Sequence, residues 1–330
     1  MREPPAGGIR SAVNDSHGPS SIEWIEWLSL AAGARSIYSC SAMSVHARTP
    51  RFEPALEERR VAHAFASSAE AVILDLEDAV AHARKRAARE TVAATPPSHR
   101  PRTYVRINPV GIDGWEGDLE VAAGVASVVV VPKVASAADI HAVAAGLDAS
   151  GGQTSIVALV ETAERVGALD AVGGASARVA WLALGLADLS LDLGITSEPP
   201  GPLAQHAGCD VSLASRRRGV APPLDSAHPR LRDLDALREE AAAARSIGFG
   251  EACIQPEQLE IVAAEFTPPQ EAIEHATAVI ADFQAAERLG EAAAEVAGHL
   301  VDYPIAERAA DLRAQAGESV EWRRRGRPSS

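Results

Sequence analysis

The chain of 330 residues is predicted to fold as an α/β protein, a TIM (β/α)8 barrel with a C-terminal helical extension. Three observations predict this fold. Short apolar or β-branched runs alternate with Ala-rich, helix-like segments, eight such runs can be counted, and most of them end on polar side chains. Strand–helix alternation of this kind is typical of a buried parallel sheet. The runs are Ser36–Ala42, Ala71–Leu76, Thr103–Ile107, Ser127–Val131, Ser155–Val160, Val179–Leu186, Gly219–Leu224 and Glu251–Ile254.

The polar side chains at the ends of these runs predict a functional site. In a (β/α)8 barrel the active site is built at the C-terminal ends of the strands, so groups that follow different strands meet at one face. We therefore expect carboxylates, an arginine and a lysine to collect there. The groups are Asp75, Glu77, Asp78, Arg106, Asn108, Lys133, Glu161, Asp188, Asp225 and Gln255.

One barrel with shorter flanking segments accounts for the length better than two equal domains, because α/β barrels commonly reach roughly 250 residues as one domain. Pro268-Pro269 breaks the chain after the last run, and the Ala/Glu-rich residues 270–300 then predict a long helix. The predicted segments are a disordered N-terminus (1–20), a short helix (21–34), the barrel (35–268), a C-terminal helical extension (269–316) and a basic flexible tail (317–330).

Charge and cysteine content exclude several classes of protein. A formal net charge of −14 argues against general nucleic-acid binding, which requires a basic face. The three cysteines, Cys40, Cys209 and Cys253, lack zinc-site spacing and form no disulfide framework, so a reducing cytoplasm is expected. The N-terminus lacks the apolar core of a signal peptide, and no run approaches the roughly 20 apolar residues that span a bilayer. A small molecule is therefore the expected partner.

Glu161 and Asp188 are the strongest candidates for metal ligands. Each follows an apolar run, and these runs are the fifth and sixth, so the two carboxylates are expected on neighbouring strands. One or two protein carboxylates, with waters and substrate oxygens, are the usual ligands of Mg²⁺. The sequence thus predicts a site for Mg²⁺ or Mn²⁺, although a solvated acid or a helix N-cap at each position remains open.

Arg106 and the acids before it form a second group. A guanidinium fork suits bidentate binding of a substrate carboxylate, and an ion pair with the acids of the preceding strand is compatible with that role. Glu77 and Asp78 are expected to contact the metal through water, although Asp78 could instead cap a helix. For Lys133 a salt bridge or anion contact is favoured over a Schiff-base role.

Five ordered motifs resemble the HpcH/HpaI aldolase/citrate lyase β-subunit family. The resemblance extends from about residue 35 to about residue 316. The motifs are AVILDLEDAV at 71–80, YVRIN at 104–108, VVVPKV at 129–134, ALVETAERV at 158–166 and GLADLSLDLG at 185–194, followed by GFGEACIQP at 248–256.

The resemblance implies a Mg²⁺-dependent carbon–carbon lyase on a TIM barrel, often acting on an acyl-CoA, and assembled as a homotrimer or hexamer. Glu161 and Asp188 match the family's metal ligands, and Arg106 matches the arginine that binds the substrate carboxylate. Asp302, within AGHLVDYPIAERA at 297–309, matches an acid that closes the neighbouring subunit's site and acts there as base. An N-cap for the last helix is the alternative role of Asp302.

Two departures from the family pattern bear on the substrate. The family's first strand usually ends in Pro-Gly, whereas the run here ends Ser39-Cys40-Ser41-Ala42, and Gln255 stands where the family has histidine. The expected reaction is cleavage or formation of a malyl-CoA- or citramalyl-CoA-type ester. The alternatives are a CoA-independent class II aldolase of 2-keto acids, an acyl-CoA thioesterase on the same scaffold, and a degenerate, non-catalytic barrel subunit.

Overall fold

Eight parallel strands form the sheet that organises the molecule. The computed structural model describes residues 47–196, 200–318, 320 and 322. Consecutive strands pair in chain order, and the eighth returns to the first through a parallel bridge between Arg51 and Cys253. The barrel therefore closes as predicted. The strands are β1 Pro50–Pro54, β2 Ala71–Asp75, β3 Thr103–Arg106, β4 Val128–Val131, β5 Ser155–Val160, β6 Val179–Leu184, β7 Leu224–Asp225 and β8 Gly250–Glu251.

The first strand is not where the sequence pattern put it. The place between β8 and β2 is taken by Pro50–Pro54, so the assignment of the first barrel strand to Ser36–Ala42 is wrong, and that segment lies outside the described residues. β1 contains two prolines, a charge pair and one large apolar residue, so it lacks the apolar run on which the prediction depended. β1 ends at Pro54 and is followed by Ala55. At the end of its first strand the chain therefore has Pro-Ala where the family usually has Pro-Gly.

Helices cover the outside of the sheet. Apolar side chains from alternate strand positions pack against them, while the other positions fill the lumen around Trp181 and Tyr104. The helices are α1 Glu58–Ala66, α2 Lys85–Ala93, α3 Trp115–Val125, α4 Ala137–Ala149, α5 Ala163–Val166, α6 Leu169–Gly173, α7 Leu186–Leu193, α8 Pro202–Arg218, α9 Leu234–Ser246 and α10 Pro256–Phe266, with 3₁₀ turns at His82–Arg84 and Pro97–Arg102.

The C-terminal extension begins with a long helix after Pro268-Pro269, and this helix is followed by a β-hairpin. α11 spans Gln270–Arg288, the strands β9 Ala293–Val296 and β10 His299–Asp302 pair antiparallel, and α12 spans Tyr303–Gln315. The predicted continuous helix over 270–300 is therefore wrong beyond Arg288. Gly290, at φ 85°, ends the helix, and the tight turn of the hairpin carries positive φ at Ala297 and Gly298.

The extension has its own hydrophobic core. Ile273, Val279 and Phe283 of α11 pack with Val301 and Leu312, and this cluster shares no residue with the two clusters of the barrel. In the described part of the chain no helix is long and apolar enough to cross a membrane. The predicted disordered N-terminus (1–20) and short helix (21–34) lie outside the described residues, as does most of the predicted tail (317–330).

Candidate active site

The two predicted metal ligands lie at neighbouring strand ends. Glu161 directly follows β5, and Asp188 lies in the first turn of α7, just after β6. These strands pair in the sheet. Glu161 is buried and Asp188 is half-buried, and the charge of Asp188 is one of the influences that raise the pKa of Glu161. The structure therefore brings the two carboxylates together.

The backbone on both sides fixes the position of Glu161. Its Oε2 accepts a hydrogen bond of 2.5 Å from the amide of Lys133, a residue at φ 47°, in the left-handed region that non-glycine residues seldom adopt. On the other side, a Cβ at Gly185 would lie 2.3 Å from Cγ of Glu161. Only glycine therefore fits at position 185 without displacing Glu161.

Burial makes Glu161 difficult to ionise without a cation. It raises the pKa of Glu161 to about 8, and the charges of Glu77 and Asp188 act in the same direction against the opposing effects of the Lys133 amide and Arg106. A bound cation would favour the ionised form. Two carboxylates without a soft ligand fit a hard divalent ion such as Mg²⁺.

The protein supplies only part of such a coordination shell. Across residues 47–196 and 200–318, no group of three or more His, Cys, Asp or Glu side chains is arranged to hold a metal ion. Glu161 and Asp188 would leave positions on a cation for water or substrate oxygens. This is the coordination that Mg²⁺ adopts when it positions a substrate.

Arg106, at the end of β3, is held by the acids that follow β2. Its Nε and Nη2 donate to the two oxygens of Asp75 at 2.8 and 2.6 Å, and Nη1 lies 3.0 Å from Glu77 Oε2. Its guanidinium also lies 5.0 Å from the centroid of the Phe52 ring. These contacts take three of the guanidinium's five N–H donors, which leaves two for another anion. The ion pair and the substrate-binding role are thus compatible.

Asp78 and Lys133 complete this charged group. Lys133 Nζ lies 2.8 Å from Glu77 and 2.9 Å from Asp78, so Lys133 makes the predicted salt bridge. Burial raises the pKa of Glu77 despite Arg106 and Lys133. Asp78 does not cap a helix: the following 3₁₀ turn has Ala81 at its N-cap without a side-chain bond. The expectation that Asp78 could be an N-cap is therefore wrong.

Lys85 stabilises the loop that follows β2 and carries Glu77 and Asp78. The sequence patterns did not indicate this role. Its Nζ donates to the carbonyls of Leu76 and Glu77, both at 2.6 Å, and to Asn108 Oδ1 at 2.8 Å. The loop after β2 is thereby tied to the loop after β3. Lys85 follows Leu76 by nine residues, but this spacing alone does not predict which carbonyls the lysine contacts.

Asp302 lies in the C-terminal extension. Its side chain accepts a hydrogen bond of 3.3 Å from the amide of Ile305 and caps α12. The structure therefore shows the N-cap role for Asp302. The assignment of Asp302 as a base in a neighbouring subunit's site stays a prediction.

The site opens into a pocket at the barrel mouth with a volume of about 290 Å³. Asp75, Arg106, Glu161 and Asp188 all line it. Sequence reasoning missed the contributions of β1, Phe52 and Pro54, because the wrong segment was assigned to that strand. The arrangement can hold a cation and a carboxylate side by side above an apolar floor.

The HpcH/HpaI aldolase/citrate lyase family matches residues 48–256, from just before β1 to the first residue of α10. The chain belongs to this family. A (3S)-malyl-CoA thioesterase of Cereibacter sphaeroides is 36% identical over 262 residues, which is 77% of this chain and 89% of that protein. A citrate lyase subunit beta-like protein of Mycobacterium tuberculosis is 34% identical over 276 residues, which is 82% of this chain and 95% of that protein.

Solved structures agree with this assignment. The structure of protein CitE from Mycobacterium tuberculosis in complex with magnesium, acetoacetate and coenzyme A has a TM-score of 0.71 at 33% identity, and covers 84% of this chain and 100% of that chain. The citrate lyase beta subunit of the same organism, complexed with oxaloacetate and magnesium, has a TM-score of 0.60 at 33% identity, and covers 72% and 99%. The family and the barrel predicted from the motifs are therefore confirmed.

Proposed function

We propose that the protein is a Mg²⁺-dependent carbon–carbon lyase that cleaves or forms a β-hydroxyacyl-CoA of the malyl-CoA or citramalyl-CoA type. The observation that supports this most is the placement of Glu161, Asp188 and Arg106 around one pocket. Relatives of the same family bind magnesium, small keto acids and coenzyme A. The free cysteines Cys209 and Cys253 are in keeping with a cytoplasmic location, which is part of the same proposal.

In this mechanism each residue has a defined task. Glu161 and Asp188 would hold Mg²⁺, which as a Lewis acid would stabilise negative charge on the substrate's oxygen atoms. Arg106 would bind the carboxylate of the glyoxylate or pyruvate portion through its two remaining N–H donors. In the cleavage direction the β-hydroxyl loses its proton and becomes a carbonyl. The electron pair of the broken bond moves to the acetyl portion, which then takes up a proton.

Asp302 is the proposed residue for proton exchange with the acetyl portion, acting from a neighbouring subunit. It lies beyond the barrel, on an extension whose core is separate from the barrel cores. Such a unit can be presented to another copy of the chain, so the proposal includes a homotrimer or hexamer. The N-cap bond to Ile305 occupies one carboxylate oxygen, Oδ1, and leaves Oδ2 for the substrate.

Thioester hydrolysis is a second candidate function. It is favoured by the similarity to the (3S)-malyl-CoA thioesterase of Cereibacter sphaeroides, which is 36% identical. In that reaction water attacks the thioester carbonyl and coenzyme A leaves as a thiol. The two reactions therefore differ in their products.

Product analysis separates the candidates. With malyl-CoA and Mg²⁺, a lyase releases glyoxylate and acetyl-CoA without a free thiol, whereas a thioesterase releases malate and a free thiol. Glyoxylate can be followed as its phenylhydrazone and the thiol with a disulfide reagent. Keto acid formation that depends on Mg²⁺ is the expected result. Thiol release in proportion to substrate loss would show thioesterase activity in place of lyase activity. If neither product forms from malyl-CoA or citramalyl-CoA, both candidate functions are contradicted.

A mixing experiment tests the shared site. An Asp302→Ala chain and a Glu161→Gln chain should each be inactive, yet mixed oligomers should recover part of the activity, because some sites combine an intact barrel with an intact extension. Mass spectrometry under native conditions verifies the mixing. Absence of recovery in verified mixed oligomers would leave Asp302 as an N-cap only.

A further inference from the structure

The pocket at the barrel mouth has two unlike walls. The polar wall, which follows β2 to β6, carries Asp75, Arg106, Glu161 and Asp188. The apolar wall, which belongs to β7, β8 and the end of β1, carries Leu224, Ala227, Ile254 and Pro54, with the acid Asp225 beside them.

The floor between the walls is also apolar. Ile73, Val157 and Trp181 line it, and all three belong to the lumen core. The volume of about 290 Å³ corresponds to roughly ten water molecules at about 30 Å³ each. Pyruvate has six non-hydrogen atoms, so the pocket has room for a ligand with a longer chain.

Among the described residues, the apolar wall carries no positive charge that could receive a second carboxylate. Arg106 is the only basic side chain among the described residues that line the pocket, and it lies on the opposite wall between Asp75 and Glu77. The charged group at the apolar wall is Asp225, and burial raises its pKa to about 6, with a further contribution from Glu240. An anionic chain end would meet repulsion and desolvation there without compensation.

We infer that the site selects a 2-keto acid portion with a neutral alkyl chain and discriminates against one with a second carboxylate. This inference rests on the proposed function, since the carboxylate and keto group would lie on the polar wall. The alkyl chain then extends over the floor toward Ala227, Leu224 and Ile254. Each methylene that becomes buried there should raise affinity about fourfold.

Titration calorimetry with Mg²⁺ present tests the inference with two five-carbon ligands. 2-Ketopentanoate ends in a methyl group and 2-ketoglutarate in a carboxylate, and pyruvate serves as the short reference. We expect 2-ketopentanoate to bind about tenfold more tightly than pyruvate, and 2-ketoglutarate at least tenfold more weakly than 2-ketopentanoate. Equal binding of the three ligands, or preference for 2-ketoglutarate, would overturn the inference but leave the proposed function intact. Failure of all three to bind in a Mg²⁺-dependent manner would contradict both.

Two variants assign the preference to the apolar wall. Ala227→Leu fills the space beside the chain, so the ratio between 2-ketopentanoate and pyruvate should fall toward one, whereas Ala243→Leu, at an exposed position on α9, should keep the wild-type ratio. Asp225→Asn removes the acid, so the affinity for 2-ketoglutarate should rise severalfold. Thermal denaturation verifies that each variant is folded. Unchanged ratios in folded Ala227→Leu and Asp225→Asn proteins would contradict the assignment.

Discussion

Two groups of acids lie at the same end of the barrel and differ in what surrounds them; all are buried except the half-buried Asp225. We call Asp75, Glu77 and Glu161 the mouth acids, and Asp225 and Glu251 the seam acids, because β7 and β8 lie next to the closure of the barrel on β1. Asp75 and Glu77 contact Arg106, and Glu77 also contacts Lys133.

Within the described part of the chain, no such cation contacts the seam acids. Neither carboxylate oxygen of Glu251 has a hydrogen-bond partner among the described residues, and its acidic neighbours are Asp225 and Glu240. Burial, with these two charges, raises the pKa of Glu251 to about 9, whereas His228, the nearby base, is paired with Glu240 at 2.6 Å. Glu251 therefore keeps its proton at neutral pH, whereas Asp225, with a pKa of about 6, ionises there.

The largest effect is expected at Glu161, the mouth acid that has no cationic partner in direct contact among the described residues. Glu161→Gln keeps the shape of the side chain but removes the negative charge. Lyase activity should fall by at least about a thousandfold and Mg²⁺ affinity should be lost, because the remaining carboxylate is Asp188. Calorimetry with Mg²⁺ and the keto acid assay measure the two effects. Glu260→Gln, at an exposed position on α10, is the control and should match wild type. Unchanged Mg²⁺ affinity in folded Glu161→Gln would show that Glu161 is not a ligand.

Arg106→Lys should have the next largest effect. An ammonium group cannot reproduce two parallel N–H donors, so 2-keto acid affinity should fall about a hundredfold. A CoA thioester that lacks the carboxylate bound by Arg106 should bind as before. Equilibrium titration of both ligands makes the comparison, with Arg217→Lys in an exposed ion pair with Asp170 as the control. Equal losses for both ligands would assign Arg106 to structure alone.

The seam acids predict a dependence of stability on pH. The pKa of Glu251 in the folded protein, about 9, lies above its ordinary value of 4.5. The folded state therefore binds more protons than the unfolded state between these values, so this contribution to stability is complete below about pH 4.5 and is lost as pH rises toward 9.

Glu251→Gln should remove that dependence, because glutamine stays neutral. Between pH 6 and pH 8 the variant should gain about 2 kcal/mol in free energy of unfolding relative to wild type. Urea denaturation at both pH values measures the difference, with Glu260→Gln as the exposed control. A difference that does not change with pH would mean that Glu251 is already ionised in the folded protein.

The smallest effect is expected at Lys133. Its side chain is 37% exposed, so solvent screens the pair with Glu77, and Arg106 still contacts Glu77 when that pair is removed. Lys133→Met should lower the free energy of unfolding by only about 0.5–1 kcal/mol. Denaturation at low and high salt is the measurement. A loss above about 2 kcal/mol would show that Arg106 alone does not stabilise ionised Glu77.

Sequence reasoning located the mouth acids because each follows an apolar strand in a parallel sheet. Glu161 and Asp188 lie at neighbouring strand ends because β5 and β6 are adjacent, which chain order alone predicts for a barrel. The position of β1 was not predictable in this way. Arg51 and Glu53 point to the same side of β1 and neutralise each other, so this strand carries charges where its neighbours carry Val and Leu.

The sequence pattern also did not predict the environment of the seam acids. Glu251 looks like an ordinary charged residue at the start of a short strand, and only the packing around β8 shows that it is buried. The hairpin in the extension was missed because Ala and Glu are common in helices, and Gly290 and Gly298 were not weighed as turn residues. Local composition predicts a helix, but the positive φ at these glycines ends it.

The separate core of the C-terminal extension has a consequence for how the protein unfolds. Residues 270–316 are too few to bury enough apolar surface for a stable fold of their own, and they share no buried core residue with the barrel. Their order then depends on the surface against which they rest. Under mild destabilisation these residues should open before the barrel, as a cooperative unit with faster amide hydrogen exchange and earlier proteolytic cleavage near Pro268-Pro269. If the supporting surface belongs to a neighbouring copy, dilution should accelerate this opening.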